Sequence, residues 1–196
     1  QHPEYLPLTQ WWQELKTATT EIHRIDPNRR VTTALGTPVG WEQDFAKAEQ
    51  AGVDEIGINA YWWDDGLGKV SAQASQKMVN KGGVNVIVWN INGNKLFDII
   101  RQIRTTQNQV YLSEVGTDSY NKIQKREDEA AQAAAVKKMW EAVVRNSDIC
   151  SKAFFFEFND EWWKDGQGSA LRQDKGGFAF GAPYDGFGNE EFWGWV

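Results

Sequence analysis

The sequence has few of the residues from which disulfides and metal sites are built. Cys150 is the only cysteine among 196 residues, so no disulfide can form within the chain. It lies between a helical stretch and an apolar stretch, which predicts a buried, unreactive thiol. The only histidines are His2 and His23. This inventory predicts no zinc site, and we expect no metal ion in the chain.

An excess of positive charge and a long apolar run are also missing. The formal net charge is -6 at pH 7, so the chain lacks the cations that would neutralise phosphates. This argues against nucleic acid or an anionic membrane as the natural partner. No apolar run approaches the roughly 18 residues of a membrane-spanning helix, so we expect no membrane span.

Tryptophan, in contrast, is abundant, with 11 residues of which six form three adjacent pairs. Neighbours in a strand point to opposite faces, so such a pair cannot place both rings in one core, whereas a loop can bring both to one groove. Flat aromatic rings also suit the C–H faces of sugars. We interpret the pairs as part of a saccharide groove, with core filling as the alternative for any single ring. The pairs are Trp11–Trp12, Trp62–Trp63 and Trp162–Trp163.

Apolar periodicity divides the chain into alternating helices and strands. Helices are predicted over 8–25, 40–50, 70–80, 96–104 and 125–144. Strands are predicted over 31–35, 53–61, 84–89, 110–114 and 153–158. Gly52 is expected to end the second helix, and Gly82-Gly83 the third. The last strand is nearly all aromatic, which predicts burial on both faces. The remainder, 164–196, carries eight glycines and is expected to pack irregularly on one end of a single domain.

Strands that alternate with helices predict a parallel sheet, for which two architectures compete. A nucleotide-binding sheet would show a glycine-rich turn between a strand and a helix, and neither 66–68 nor 166–168 has that context. A closed barrel places its chemistry at the carboxyl ends of its strands. Acids, amides and aromatics recur at those ends, which supplies what glycoside hydrolysis needs. The candidate residues there are Asn59, Tyr61, Trp62, Trp63, Asn90, Glu114, Glu157, Asp160, Trp162 and Trp163.

Four segments resemble a known family. The run Leu112-Ser113-Glu114-Val115-Gly116-Thr117-Asp118 resembles the seventh-strand motif of (β/α)8-barrel retaining glycosidases, nearest to family 2 β-glycosidases and β-1,3-glucanosyltransferase-like barrels. Asn59-Ala60-Tyr61 resembles their sixth-strand Asn-x-Tyr. The segment 156–164 is similar to their eighth strand and its loop, and 189–194 to a closing segment. The resemblance covers most of the chain.

This resemblance implies a partial (β/α)8 TIM barrel, covering roughly the second half of the barrel, in one catalytic-type domain over 1–196. It implies that Glu114 is the nucleophile and that the hydroxyl of Tyr61 binds it and helps to keep it ionised. The expected substrate is a β-linked glucan or related oligosaccharide, cleaved or transferred with retention and without a cofactor. The other candidate residues would then contact sugar.

The sequence leaves three points open. The acid/base glutamate of such enzymes follows their fourth strand, and we expect it upstream of Gln1, so that this chain is the C-terminal portion of a longer enzyme. Five strands are predicted where four are implied. Either 84–89 is an inserted strand, or it is the true sixth strand and 53–61 is displaced, with Asn90 and Asn92 as rivals of Tyr61. A carbohydrate-binding barrel without catalysis is the alternative function.

Overall fold

The computed structural model describes residues 8–36, 41–60, 75–81, 84–90, 96–104, 108–161, 178–179 and 187–195. The helices of this part of the chain are α1 Leu8–Ile25, α2 Trp41–Gln50, α3 Leu96–Ile103 and α4 Glu129–Arg145, with a 3-10 helix at Glu190–Phe192. Its strands are β1 Thr32–Leu35, β2 Glu55–Asn59, β3 Ser75–Lys81, β4 Val84–Asn90, β5 Gln109–Val115, β6 Tyr120–Asn121, β7 Arg126–Glu127, β8 Cys150–Phe155, β9 Phe178–Ala179 and β10 Phe187–Gly188.

The main sheet has four strands in the order β1-β2-β5-β8. All neighbouring pairs are parallel, and the order in space follows the order in sequence. Helices α2 and α3 come between successive strands of this sheet, and α4 precedes β8. The expectation of an α/β chain with a parallel sheet is therefore confirmed at this level.

Strands β3 and β4 form a separate antiparallel hairpin, which corrects one prediction. The segment 70–80 was expected to be helical, but β3 pairs with β4 residue by residue from Ser75↔Asn90 to Lys81↔Val84. The physical reason is that a glycine pair directly before a strand-forming run is a hairpin signal as well as a helix stop. The hairpin is inserted between β2 and α3, so β2 is the second strand of the main sheet and is not displaced.

The hydrophobic core lies between the main sheet and the helices. Strands β2 and β5 contribute Ile56, Ile58, Val110 and Leu112, all at most 1% exposed, and the side that these four residues define is called the helix face. The same core contains Cys150, whose pKa is raised to about 11 by burial. The expected buried thiol is confirmed.

Two element boundaries differ from expectation. Helix α4 begins at Glu129 rather than 125, because the side chain of Asp128 caps it by accepting a hydrogen bond from the amide of Ala131 at 3.0 Å. Strand β8 starts at Cys150 and ends at Phe155. Its expected burial on both faces is wrong, since Phe154 is 55% exposed.

The segment 187–195 packs against the chain that follows β5. The amide of Ser119 donates to the carbonyl of Phe192 at 2.8 Å, and Phe192 and Trp193 are almost fully buried. The expected irregular tail is thus docked on the end of the sheet where β5 finishes. Among the helices described, none is long and apolar enough to cross a membrane.

Gly116 allows β5 to end in direct contact with the chain that leaves β8. A Cβ atom at this position would collide with the carbonyl oxygen of Phe156 and lie 3.5 Å from the ring of Trp193. We predict that Gly116→Ala lowers the free energy of unfolding by about 2 kcal/mol or more, because a backbone atom cannot move aside as a flexible side chain can. Urea titration followed by circular dichroism measures this.

Gly36→Ala is the matched control. Nothing lies within 4 Å of a Cβ atom built at Gly36, so its unfolding midpoint should stay close to that of the wild type. Equal midpoints for Gly116→Ala and Gly36→Ala would contradict the close approach of the two strand ends.

Candidate functional site

The carboxyl ends of β2, β5 and β8 meet at one edge of the main sheet. The amide of Ala60 donates to the carbonyl of Glu114 at 2.7 Å, and the amide of Phe156 donates to the carbonyl of Val115 at 2.9 Å. Parallel pairing therefore brings the residues that follow each strand together. Glu114 lies at the carboxyl end of its strand, between the ends of its two neighbours.

Strand β5 contains one residue more than either neighbour near this edge. Against β2, Leu112 pairs with Ile58, but it is Glu114 that pairs with Asn59. Against β8, the three-residue step from Leu112 to Val115 matches the two-residue step from Ala153 to Phe155. Both registers locate the extra residue between Leu112 and Val115, which is the arrangement of a β-bulge.

The extra residue changes which side chain enters the core. With strict alternation, Glu114 would share the helix face with Leu112, since residues two apart in a strand point the same way. Instead, Val115 joins Leu112 in the core, and both are 0% exposed. Glu114 is only half-buried and is paired in register with Asn59. The bulge thus keeps a carboxylate out of the apolar layer and sets it at the strand ends.

Ser113 belongs to the same site, although the sequence analysis gave it no role. Its hydroxyl donates to the side-chain oxygen of Asn59 at 2.7 Å. This bond fixes the orientation of the Asn59 amide next to Glu114. The sequence did offer a signal for Ser113, because it is next to Glu114 in a strand that was expected to pair with the strand of Asn59. The bulge that brings Ser113 to the same side as Glu114 is a tertiary feature, which local sequence does not show.

The side of the sheet opposite the helix face also carries polar and aromatic groups. The hydroxyl of Tyr111 donates to Oγ1 of Thr32 at 3.1 Å, so its ring crosses β2. Gly57 makes room for it, because a Cβ atom there would come within 2.7 Å of the ring. Phe154 meets the Tyr111 ring edge-on, with 6.0 Å between ring centroids. We call this side, with Glu55, Gly57, Tyr111 and Lys152, the Tyr111 face.

Glu55 is the buried charge of the Tyr111 face. Its side chain is 1% exposed and accepts a hydrogen bond from Nζ of Lys152 at 2.7 Å, with Nη2 of Arg30 at 3.2 Å from its other oxygen. Burial by itself would raise the pKa of Glu55, but the hydrogen bonds from Lys152 and Ser151 and the two positive charges outweigh it and hold the pKa below its usual value. Glu55 is therefore a structural anion held by two cations.

Two further predicted site residues contact the docked tail. The amide of Glu157 donates to the carbonyl of Trp193 at 3.4 Å, and the Glu157 side chain is partly buried. Oδ1 of Asp160 accepts from the amide of Gly194 at 2.7 Å. Both residues thus follow β8 as expected, and each is in contact with the tail that packs on this end of the sheet.

The remaining sequence candidates divide into three groups. Asn90 ends β4 and pairs with Ser75, so it belongs to the hairpin rather than to the edge of the parallel sheet. Trp11 and Trp12 lie on α1 with their ring centroids 4.7 Å apart, and Trp12 packs against the core. Five candidates lie outside the described residues, namely Tyr61, Trp62, Trp63, Trp162 and Trp163.

Within the part of the chain that the structure describes, no three or more potential ligands among His, Cys, Asp and Glu are grouped to hold a metal ion. No protein-family model matches the chain, and no curated protein is significantly similar to it.

The charges of the Tyr111 face predict a pH-dependent stability. The pKa of Glu55 is lower in the folded chain than in the unfolded chain, where it is about 4.3. The ionised Glu55 therefore stabilises the folded state above pH 4.3, and this stability is lost as the pH falls through the pKa of Glu55 in the folded chain. Glu55→Gln should cost about 1–3 kcal/mol at pH 7, an amount limited by the solvent that screens the half-exposed Lys152. Urea titrations at pH 7 and pH 3 measure the difference, which should shrink at pH 3.

Glu14→Gln is the control for this comparison. Glu14 is exposed on α1, so its variant should match the wild type at both pH values. A Glu55→Gln deficit that stays constant or grows on acidification would contradict the assigned ion pairs.

Proposed function

We propose that this chain belongs to a retaining glycoside hydrolase or transglycosylase that acts on a β-linked glucan or related oligosaccharide. In this proposal, the four parallel strands form part of a (β/α)8 barrel whose interior is lined by the Tyr111 face. Glu114 is the nucleophile. The proposal rests on the motif resemblance and on one observation of the structure.

That observation is the extra residue of β5. A carboxylate at the end of an otherwise apolar strand would enter the helix layer if the strand alternated strictly, and burial there without a partner would be costly. The bulge instead sends Val115 into the core and leaves Glu114 half-buried beside Asn59. Bulges next to active sites commonly re-aim one side chain in this way. This position at the carboxyl ends of the strands is where barrel enzymes carry their catalytic residues, which supports the role of Glu114 as the nucleophile.

The mechanism that follows is a double displacement. Glu114 attacks the anomeric carbon and forms a covalent glycosyl-enzyme, while an acid/base glutamate protonates the leaving oxygen. The same glutamate then activates water or an acceptor sugar. The two carboxyl groups should be about 5–5.5 Å apart, as retaining enzymes require. Tyr61 would donate to Glu114 and favour its ionised form.

Asn59 and Ser113 would act beside the nucleophile. The hydroxyl of Ser113 holds the oxygen of the Asn59 amide at 2.7 Å, so the amide nitrogen is the group left to donate to a sugar hydroxyl. Hydrogen bonds to hydroxyls next to the reacting carbon strengthen in the transition state and contribute to catalysis. Glu157, Asp160 and the aromatic residues after β2 and β8 would line the substrate path.

We predict that Glu114→Gln, introduced into the full-length protein, lowers turnover of a β-1,3-glucan by about a thousandfold or more. Removing the nucleophile abolishes the covalent step but leaves the contacts to the rest of the sugar, so oligosaccharide binding should persist. A 2-fluoro-glycosyl fluoride should label the wild type on Glu114, as located by mass spectrometry of peptides. Glu14→Gln, at an exposed position on α1, should retain wild-type turnover.

Other outcomes have clear meanings. Labelling of another carboxylate, or near-normal turnover of Glu114→Gln, would show that Glu114 is not the nucleophile. Saccharide binding by a wild type that has no turnover on any β-linked glucan would favour the carbohydrate-binding alternative. Equal unfolding midpoints for the variant and the wild type would show that lost turnover reflects chemistry and not misfolding.

A further inference from the structure

A groove lies on the other side of the sheet, beside α4. It has a volume of about 790 Å³, within the roughly 300–1,000 Å³ of small-ligand sites. Helix α4, the end of β8, the chain after β5 and the docked tail supply its walls. Neither Glu114 nor Asn59 lines it. We refer to it as the α4 groove, and Asp160 is the residue that it shares with the strand-end site.

Aromatic rings form one wall of the α4 groove. Trp140 is 50% exposed and Trp195 is 46% exposed. Both contact Phe155, at ring-centroid distances of 6.3 and 5.3 Å, and Phe155 in turn packs against the core. The two indole rings are thus held in place from beneath while half of their surface stays open. Two large apolar rings presented in this way indicate a binding surface rather than a core.

Carboxylates form the rest of the lining. Glu127 and Glu129 line the α4 groove, and both are exposed. Asp160 also lines it and uses one oxygen on the amide of Gly194. The one cation of the lining, Lys137, has its ammonium group 3.1 Å from Glu141. The groove therefore carries a negative charge and offers hydrogen-bond acceptors.

We propose that the α4 groove binds a saccharide chain that carries no negative charge. The C–H faces of pyranose rings are weakly positive and fit the negative faces of the indoles of Trp140 and Trp195. The open carboxylates of Glu127 and Glu129 accept hydrogen bonds from pairs of sugar hydroxyls, as charge-assisted bonds. The same carboxylates repel uronate and sulfated chains, as they do nucleic acid. The site goes beyond the proposed function, because it does not depend on the role of Glu114.

The test follows the indole N–H signals in NMR spectra of the whole protein with ¹⁵N-labelled tryptophan. Laminarihexaose, cellohexaose and N-acetylchitohexaose are the neutral probes, and hexagalacturonate is the anionic one. At least one neutral probe should shift the signals of Trp140 and Trp195 in a saturable way, and hexagalacturonate should not. Trp140→Ala and Trp195→Ala should each weaken this binding by about fivefold or more. Trp11→Ala, which removes a partly exposed indole on α1, should not.

Several results would overturn the proposal. Absence of shifts at Trp140 and Trp195 with all three neutral probes at millimolar concentration would do so, as would equal binding of hexagalacturonate. Shifts with a hexalysine peptide alone would assign the groove to a basic partner instead. Signals that depend on protein concentration without a probe, together with a dimer lost in Trp140→Ala, would assign it to self-association.

The same spectra separate this proposal from the proposed function. Glu114→Gln should leave the shifts of Trp140 and Trp195 unchanged, because Glu114 does not line the groove. If Glu114→Gln keeps both the probe-induced shifts and its turnover, only the assignment of Glu114 as the nucleophile is contradicted. If the wild type is active but no neutral probe shifts Trp140 and Trp195, only the saccharide site in the α4 groove is contradicted.

Discussion

Strand β5 pairs with β2 on one side and with β8 on the other. Near its carboxyl end, β5 contains one residue more than each of these neighbours. This mismatch decides the rest of the candidate site. Leu112 and Val115 occupy the helix face on either side of it, and the two residues between them are excluded from the core. Ser113 then meets Asn59 through a hydrogen bond, and Glu114 takes the register position opposite the same residue. A single backbone irregularity thus separates an apolar layer from a polar edge.

The surroundings of β5 hold this irregularity in place. Beyond the bulge, Gly116 lies against the backbone of Phe156, and the docked tail covers the next residues. Thr117, Asp118 and Ser119 are buried polar residues, and the amide of Asn189 donates to Asp118 at 3.2 Å. Buried polar groups of this kind stabilise a structure only when their hydrogen bonds are made. The tail therefore supplies hydrogen-bond partners to the chain at the end of β5, as the neighbouring strands do along its middle.

The parallel sheet could be predicted because its strands and helices alternate with clear apolar periods. Strand β2, strand β5 and the position of Glu114 at a strand end all followed from that pattern. The prediction of a helix over 70–80 was wrong because a glycine pair can end a helix or form the turn of a hairpin. Only the pairing of β3 with β4 decides between the two. Local sequence cannot settle such a case, since the deciding hydrogen bonds come from another segment.

The site was predictable in its residue types but not in its geometry. The motif containing Glu114 is local, whereas the bulge is detected only against the registers of β2 and β8. The α4 groove was missed for a related reason. Trp140 and Trp195 are far apart in sequence and not adjacent to other tryptophans, so no local pattern pairs their rings. Phe155 brings them together, and its own role depends on which face of β8 it occupies.

The docking of 187–195 onto the chain after β5 has a consequence for biosynthesis. A ribosome synthesises these residues some seventy positions after the strand that they cover, and its exit tunnel delays them further. Until they emerge, Ser119 lacks the carbonyl of Phe192 and Asp118 lacks the amide of Asn189. The parallel sheet can assemble while the chain is still being made. The end of β5 that carries Glu114 therefore takes its final form later in synthesis than the strand itself.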